Sequence, residues 1–144
     1  MCGICGIVNF NHQPVKKDEL KSMMLKIKHR GPNDEGTFQH ENMGFGFVRL
    51  SIIDLSSAGH QPMQDESGRY TIVFNGEIFN YIELREELLL KGQTFHSQTD
   101  TEVLLKMYIT YGVDCLDKLN GMFAFAVHDR HTNRIFAARD RFGV

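Results

Sequence analysis

The chain of 144 residues predicts a single α+β domain, with strands toward both ends and helices between them. Two observations carry that expectation. Apolar side chains alternate at Phe45 and Phe47, and again at Phe123, Phe125 and Val127, the period of a strand that buries one face. Helical spacing appears at Leu20, Met23, Met24 and Ile27, and twice more after Asn80 and Asp100. No repeat, low-complexity tract or flexible linker divides residues 1–144, and 42% hydrophobic with 24% charged residues suits one ordinary core.

The elements follow in order. Ile4 to Phe10 reads as a strand, far too short to span a membrane and not preceded by the basic segment of a signal peptide. A helix through Leu20 and Ile27 comes next. In MGFGFVRLSIID, Phe45, Phe47 and Arg49 share one strand face, which puts a guanidinium where the pattern calls for an apolar side chain. Tyr70 to Phe74 reads as a strand that runs into Asn75-Gly76-Glu77. Asn-Gly is a common hairpin turn, but Ile78 to Leu90 reads as a helix and not as a returning strand. Asn80 and Glu83 have the spacing of a helix start, Tyr81, Leu84 and Leu88 form one face, and Gly92 lies just beyond the end. Thr99 and Glu102 repeat that spacing before a helix with Val103, Leu104, Met107 and Tyr111 on its apolar side. The strand at Phe123 to Val127 turns at Arg130 to Asn133 into a last strand, Arg134 to Arg139.

The residue that carries most chemistry is Cys2. Once Met1 is removed, its thiol and a free α-amine share one residue, so the nucleophile brings its own base. An α-amine titrates near 7.7–8.0 and a free thiol near 8.5, close enough for one to relieve the other of its proton. Four further groups sit at the ends of apolar segments. The Asn75 amide and the Gly76 N–H could face an oxyanion. Arg49 offers a fork that suits a carboxylate, or else an internal ion pair. Asp100 could meet an ammonium group or simply complement the helix dipole.

Net charge is −2 with scattered basic residues, which points away from nucleic acid and anionic membrane as partners. Three cysteines cannot all pair within one chain, and free thiols fit a reducing compartment, the cytoplasm. Cys2 and Cys5 do form a C-x-x-C pair, so a metal or redox module is a rival reading, with Cys115 or histidines such as His128 and His131 as further ligands. No second C-x-x-C accompanies it, and no phosphate loop of the G-x-x-x-x-G-K-[ST] or G-x-G-x-x-G type is present.

The segments MCGICGIV, HRGPNDEG, RLSIIDLSSAGHQPM, FNGEIFNYIELREEL, TDTEVLL, LNGMFAFAVHD and ARDRFGV together resemble the class II glutamine amidotransferases, N-terminal nucleophile hydrolases, and among them the glutaminase domain of asparagine synthetases. Asn33 and Phe79 depart from the family's more usual aspartate and tyrosine. The resemblance implies a four-layer αββα sandwich of two antiparallel sheets, spanning residues 1–144 and continuing beyond them in the parent protein. It implies Cys2 as nucleophile, Asn75 and Gly76 as oxyanion hole, and Arg49 and Asp100 on the α-carboxylate and α-ammonium of L-glutamine. Leu50, Ile52, Ile53 and Glu77 would complete the pocket. No metal or cofactor is expected here; ATP and Mg²⁺ belong to a synthetase domain absent from this sequence. Acceptors other than aspartate, such as sugars or nucleotide precursors, fit the resemblance too, as do a glutamine sensor of this fold and a homodimer.

Overall fold

A computed structural model of the protein describes residues 2–50 and 59–144. Strands β1 (Gly3–Val8), β2 (Asp34–His40) and β3 (Met43–Arg49) form one antiparallel sheet in the order β1-β3-β2. The second sheet, order β4-β5-β6-β7, holds β4 (Met63–Gln64), β5 (Tyr70–Ile78), β6 (Gly121–Asp129) and β7 (Arg134–Arg139), again antiparallel. Helix α1 (Lys17–Ile27) covers the outer face of the first sheet. Helices α2 (Tyr81–Leu90) and α3 (Asp100–Tyr111), followed by a 3₁₀ stretch at Gly112–Lys118, cover the outer face of the second. The layers therefore run helix, sheet, sheet, helix, the expected four-layer sandwich.

Alternation along β3 explains how the layers close. Met43, Phe45 and Phe47 point into the inter-sheet core with Val73 of β5, joined by Ile4 and Cys2. Gly44 and Gly46 occupy the opposite face, where a Cβ at Gly46 would lie 2.8 Å from Met24 of α1, so glycine lets the helix settle onto the strand. Ile72, Phe74 and Ile78 of β5 point the other way and meet Leu84, Leu88, Val103, Leu104 and Met107. Each fully buried aliphatic or aromatic side chain here contributes about 1.5–3 kcal/mol.

The strand expected at Tyr70 to Phe74 continues through Asn75 and Gly76 to Ile78, so α2 starts at Tyr81. Asn80 does not cap it with its side chain. That amide instead donates to the Lys118 carbonyl at 2.9 Å and accepts from Asn120 N–H at 3.0 Å, tying the chain into β6. Gly92 ends the helix at φ 82°, with Gln93 N–H returning to the Leu88 carbonyl at 3.0 Å. Thr99 does cap α3 by accepting from Glu102 N–H at 3.3 Å, while the Glu102 carboxylate turns back to the N–H groups of His96 and Ser97. Sequence periodicity did not show β2, whose charged, half-exposed pattern is that of an edge strand, or the two-residue β4.

Candidate active site

Cys2 stands immediately before β1 and inherits its alternation, so it faces the second sheet beside Phe47. Its Sγ accepts from Leu50 N–H at 3.3 Å and lies 3.6 Å from the Leu50 carbonyl. Its own carbonyl accepts from Arg30 Nε at 3.0 Å. Gly31 follows so tightly against β3 that a Cβ there would come within 2.4 Å of the Val48 carbonyl carbon. The HRGP segment thus clamps the chain that bears the thiol, a role for Arg30 that sequence reasoning did not assign.

Across the cavity lies the outer edge of β5. Alternate N–H groups of a strand point the same way. Phe74 N–H donates to Gln61 Oε1 at 2.6 Å and Ile78 N–H to Asp100 Oδ2 at 3.1 Å, both away from β6. That parity puts the Gly76 N–H between them, on the edge that opens into the cavity. A Cβ at Gly76 would lie 2.1 Å from the Met122 carbonyl oxygen at a φ of 156°, so the position accepts only glycine. Asn75 projects from the face shared with Val73, toward the sheet that leads to Cys2, and its Oδ1 is buried with no hydrogen-bond partner among the described residues. Such a group costs about 1–3 kcal/mol in the resting fold.

Asp100 opens α3 and is buried. Burial pushes its carboxyl from 3.8 up to about 6, and neighbouring Glu77 adds to this against the pull of the Ile78 and Thr101 N–H groups. A carboxylate held at such cost suits a cationic ligand. Arg49, at the end of β3, is 7% exposed, and its Nη2 would be 2.1 Å from a Cβ at Gly59. The guanidinium therefore lies directly on the Gly59 backbone.

Cys2, Phe47, Arg49, Leu50, Gly76, Glu77, Asp100 and Met122 line one cavity of about 180 Å³ with Gly59, Gln61, Phe74, Thr99 and Thr101. Seven candidates from the sequence are thus brought together or adjoin it: Cys2, Arg49, Leu50, Gly76, Glu77 and Asp100 in the wall, and Asn75 next to it in the strand. Ile52 and Ile53 lie outside the described residues. Gly59 and Gln61 had no signal of their own beyond their place in the GHQPM segment.

The C-x-x-C rival fails on geometry. Residues three apart on a strand face opposite sides, and Cys5 Sγ lies near Gly46 on the α1 side while Cys2 faces the other sheet. His128 is fully buried, with Nε2 3.0 Å from Asn133 Oδ1, and among the described residues no three His, Cys, Asp or Glu side chains are grouped to hold a metal ion. Among those residues, no helix is long and apolar enough to cross a membrane.

Two antiparallel sheets packed between helical layers, with a near-terminal cysteine just before edge strand β1, define the class of four-layer αββα sandwiches. The fold is matched by the glutamine phosphoribosylpyrophosphate amidotransferase of Bacillus subtilis, with a TM-score of 0.78 and 20% identity over 97% of this chain and 37% of that one. The glutamine amidotransferase domain family matches residues 1–144, and the chain belongs to it. Among curated relatives, glutamine-hydrolysing asparagine synthetase 1 of B. subtilis is 48% identical over all of this chain and 23% of its own length. Glutamine-hydrolysing asparagine synthetase 3 of the same organism is 45% identical over all of this chain and 24% of its length. The chain spans about a quarter of these relatives.

Proposed function

We propose that this domain hydrolyses L-glutamine to glutamate and ammonia through a thioester on Cys2. The observation that carries the reading is convergence: thiol, strand-edge N–H, guanidinium and carboxylate arrive in one cavity from four separate segments. Arg49 would hold the α-carboxylate and Asp100 the α-ammonium, leaving the side-chain amide pointed toward Cys2. The free α-amine of Cys2, available once Met1 is removed, takes the thiol proton as Sγ attacks the amide carbon. The negative charge that develops on the amide oxygen meets Gly76 N–H and the Asn75 side-chain amide. Collapse of the intermediate breaks the C–N bond, and the ammonium formed on Cys2 returns its proton to the leaving nitrogen, which departs as ammonia. Water, deprotonated by the same amine, then attacks the thioester and frees glutamate and the thiol.

In the parent protein the ammonia would pass to a synthetase domain that uses ATP and Mg²⁺, most economically for asparagine formation from aspartate. The names and greater lengths of the relatives support that use. The experiment is direct: protein lacking Met1 should release ammonia and glutamate from glutamine in equal amounts, and Cys2→Ala should release neither while keeping its fold. Turnover retained in Cys2→Ala would end this mechanism.

A further inference from the structure

We propose that Gln61 is a positioning residue that locks the oxyanion end of the cavity to its ammonium end, an inference that rests on the glutaminase reading. Gln61 is 4% exposed, and its amide bridges two elements that are not adjacent in the chain. Its Oε1 accepts from Phe74 N–H at 2.6 Å, and its Nε2 donates to Thr101 Oγ1 at 3.2 Å.

Both partners sit one residue from a group with a proposed role. Phe74 precedes Asn75 on β5, and Thr101 follows Asp100 in the first turn of α3. Among the described residues, strand β4 pairs with Thr71 and Ile72 alone, so the next outward N–H of β5, that of Phe74, has no strand partner among them. The side-chain Oε1 of Gln61 takes that place. Its backbone is held as well, since a Cβ at Gly36 of β2 would fall 2.0 Å from the Gln61 carbonyl oxygen. One planar amide thus connects the edge of the second sheet to the start of α3, while the backbone of the same residue lies against the first sheet.

Phe74 N–H needs an acceptor and the Thr101 hydroxyl takes either role, so the bridge requires a side chain that brings hydrogen-bonding atoms to both. Glutamine does; methionine, of similar length, does not. With the bridge gone, the start of α3 can shift relative to Gly76, and a displacement of about 1 Å can cost ~10²-fold in rate. Gln61 touches the cavity wall but is assigned no contact with the reacting atoms.

The test uses the protein without Met1 and compares Gln61→Met, Thr101→Val and the double variant in glutamine turnover, thermal melting and alkylation of Cys2 by iodoacetamide. Gln61→Met should raise the KM for glutamine about tenfold and lower kcat by ~10–10²-fold, while alkylation, which needs only the thiol, keeps its rate. Thr101→Val, nearly isosteric, should reproduce the KM effect in part. The double variant should be no worse than Gln61→Met, because both changes break the same bridge.

A purely structural role predicts a lower melting temperature with KM and kcat unchanged, and that result overturns the proposal. So do penalties that multiply in the double variant. If Gln61→Met does not fold, Thr101→Val decides alone, an unchanged KM refuting the bridge and a raised one supporting it. If the unsubstituted protein shows no glutamine turnover, the glutaminase reading falls and this proposal with it; turnover with indifferent variants removes only the role of Gln61.

Discussion

Asp100→Asn should make the empty protein more stable and the substrate bind worse, two effects of opposite sign from one atom. In the fold the carboxyl titrates at about 6 against an ordinary 3.8, chiefly because it is desolvated. A folded value above the unfolded one means the ionised form is disfavoured by folding. At pH 7 that difference of roughly two units corresponds to about 3 kcal/mol of destabilisation. The cost shrinks as pH falls through 6 and is gone below 3.8, where the group is neutral in both states. Asparagine keeps an acceptor for Ile78 N–H and removes the charge. Its melting temperature should exceed that of the parent by several degrees at pH 7.5, at about 2–4 °C per kcal/mol, and the gap should narrow by pH 5. Glutamine affinity should fall at least ~30-fold, because truncating one member of a buried charge pair costs about 2–5 kcal/mol. Calorimetric titration on a Cys2→Ala background reads the affinity without turnover, and thermal melting at both pH values reads the stability. A variant that melts lower by a constant amount at both pH values, with glutamine binding intact, would mean that Asp100 serves α3 as an ionised cap and nothing more.

The unsubstituted enzyme should show an acid limb in kcat/KM for glutamine centred near pH 6, lost in Asp100→Asn; a flat profile down to pH 5 would detach that limb from Asp100. Arg49→Lys should raise KM although net charge is constant, since lysine cannot make the paired contact; Gly59→Ala should mimic it by pushing its Cβ into the guanidinium, 2.1 Å away. If Gly59→Ala left glutamine binding untouched, the stacking of Arg49 on that backbone would be irrelevant to recognition. Asn75→Asp should lower kcat by ~10²–10³-fold with a smaller change in binding, as a negative charge replaces a donor. Normal kcat in a stable variant refutes the oxyanion role. Cys5→Ala should leave turnover within about twofold, because Cys5 faces α1, away from the cavity.

How far the sequence could be read depended on whether a residue's partner was near it in the chain. Phe45, Phe47 and Arg49 reveal their common face through period alone, and Thr99 reveals its cap because the N–H it accepts from is three residues on. Asn80 shows the limit. Its spacing from Glu83 matches a helix start, yet its amide is used by residues 118–120, which only the folded chain brings close. Gln61 and Arg30 are of the same kind: their partners lie 13 to 40 residues away, so no local pattern marks them. Gly76 fell between the two cases. Its neighbours suggested a turn or a donor, and only the pairing with β6 shows that the strand runs straight through it.

Because Gly76 and Ile78 lie on one strand edge, the edge serves as a ruler under the glutaminase reading. Two residues of antiparallel strand span about 7 Å, and pairing with β6 along the whole of β5 keeps that length from stretching. The near mark is the oxyanion donor at Gly76; the far mark is Asp100, fixed to Ile78 N–H. An amino acid amide shorter by one carbon, asparagine, loses one bond of about 1.5 Å and cannot reach both marks together. A mismatch on that scale is worth ~10²-fold in rate without any group that recognises asparagine as wrong. A flexible loop in place of β5 would have bent to fit the shorter amide, so a strand at this wall gives the domain a way to spare it.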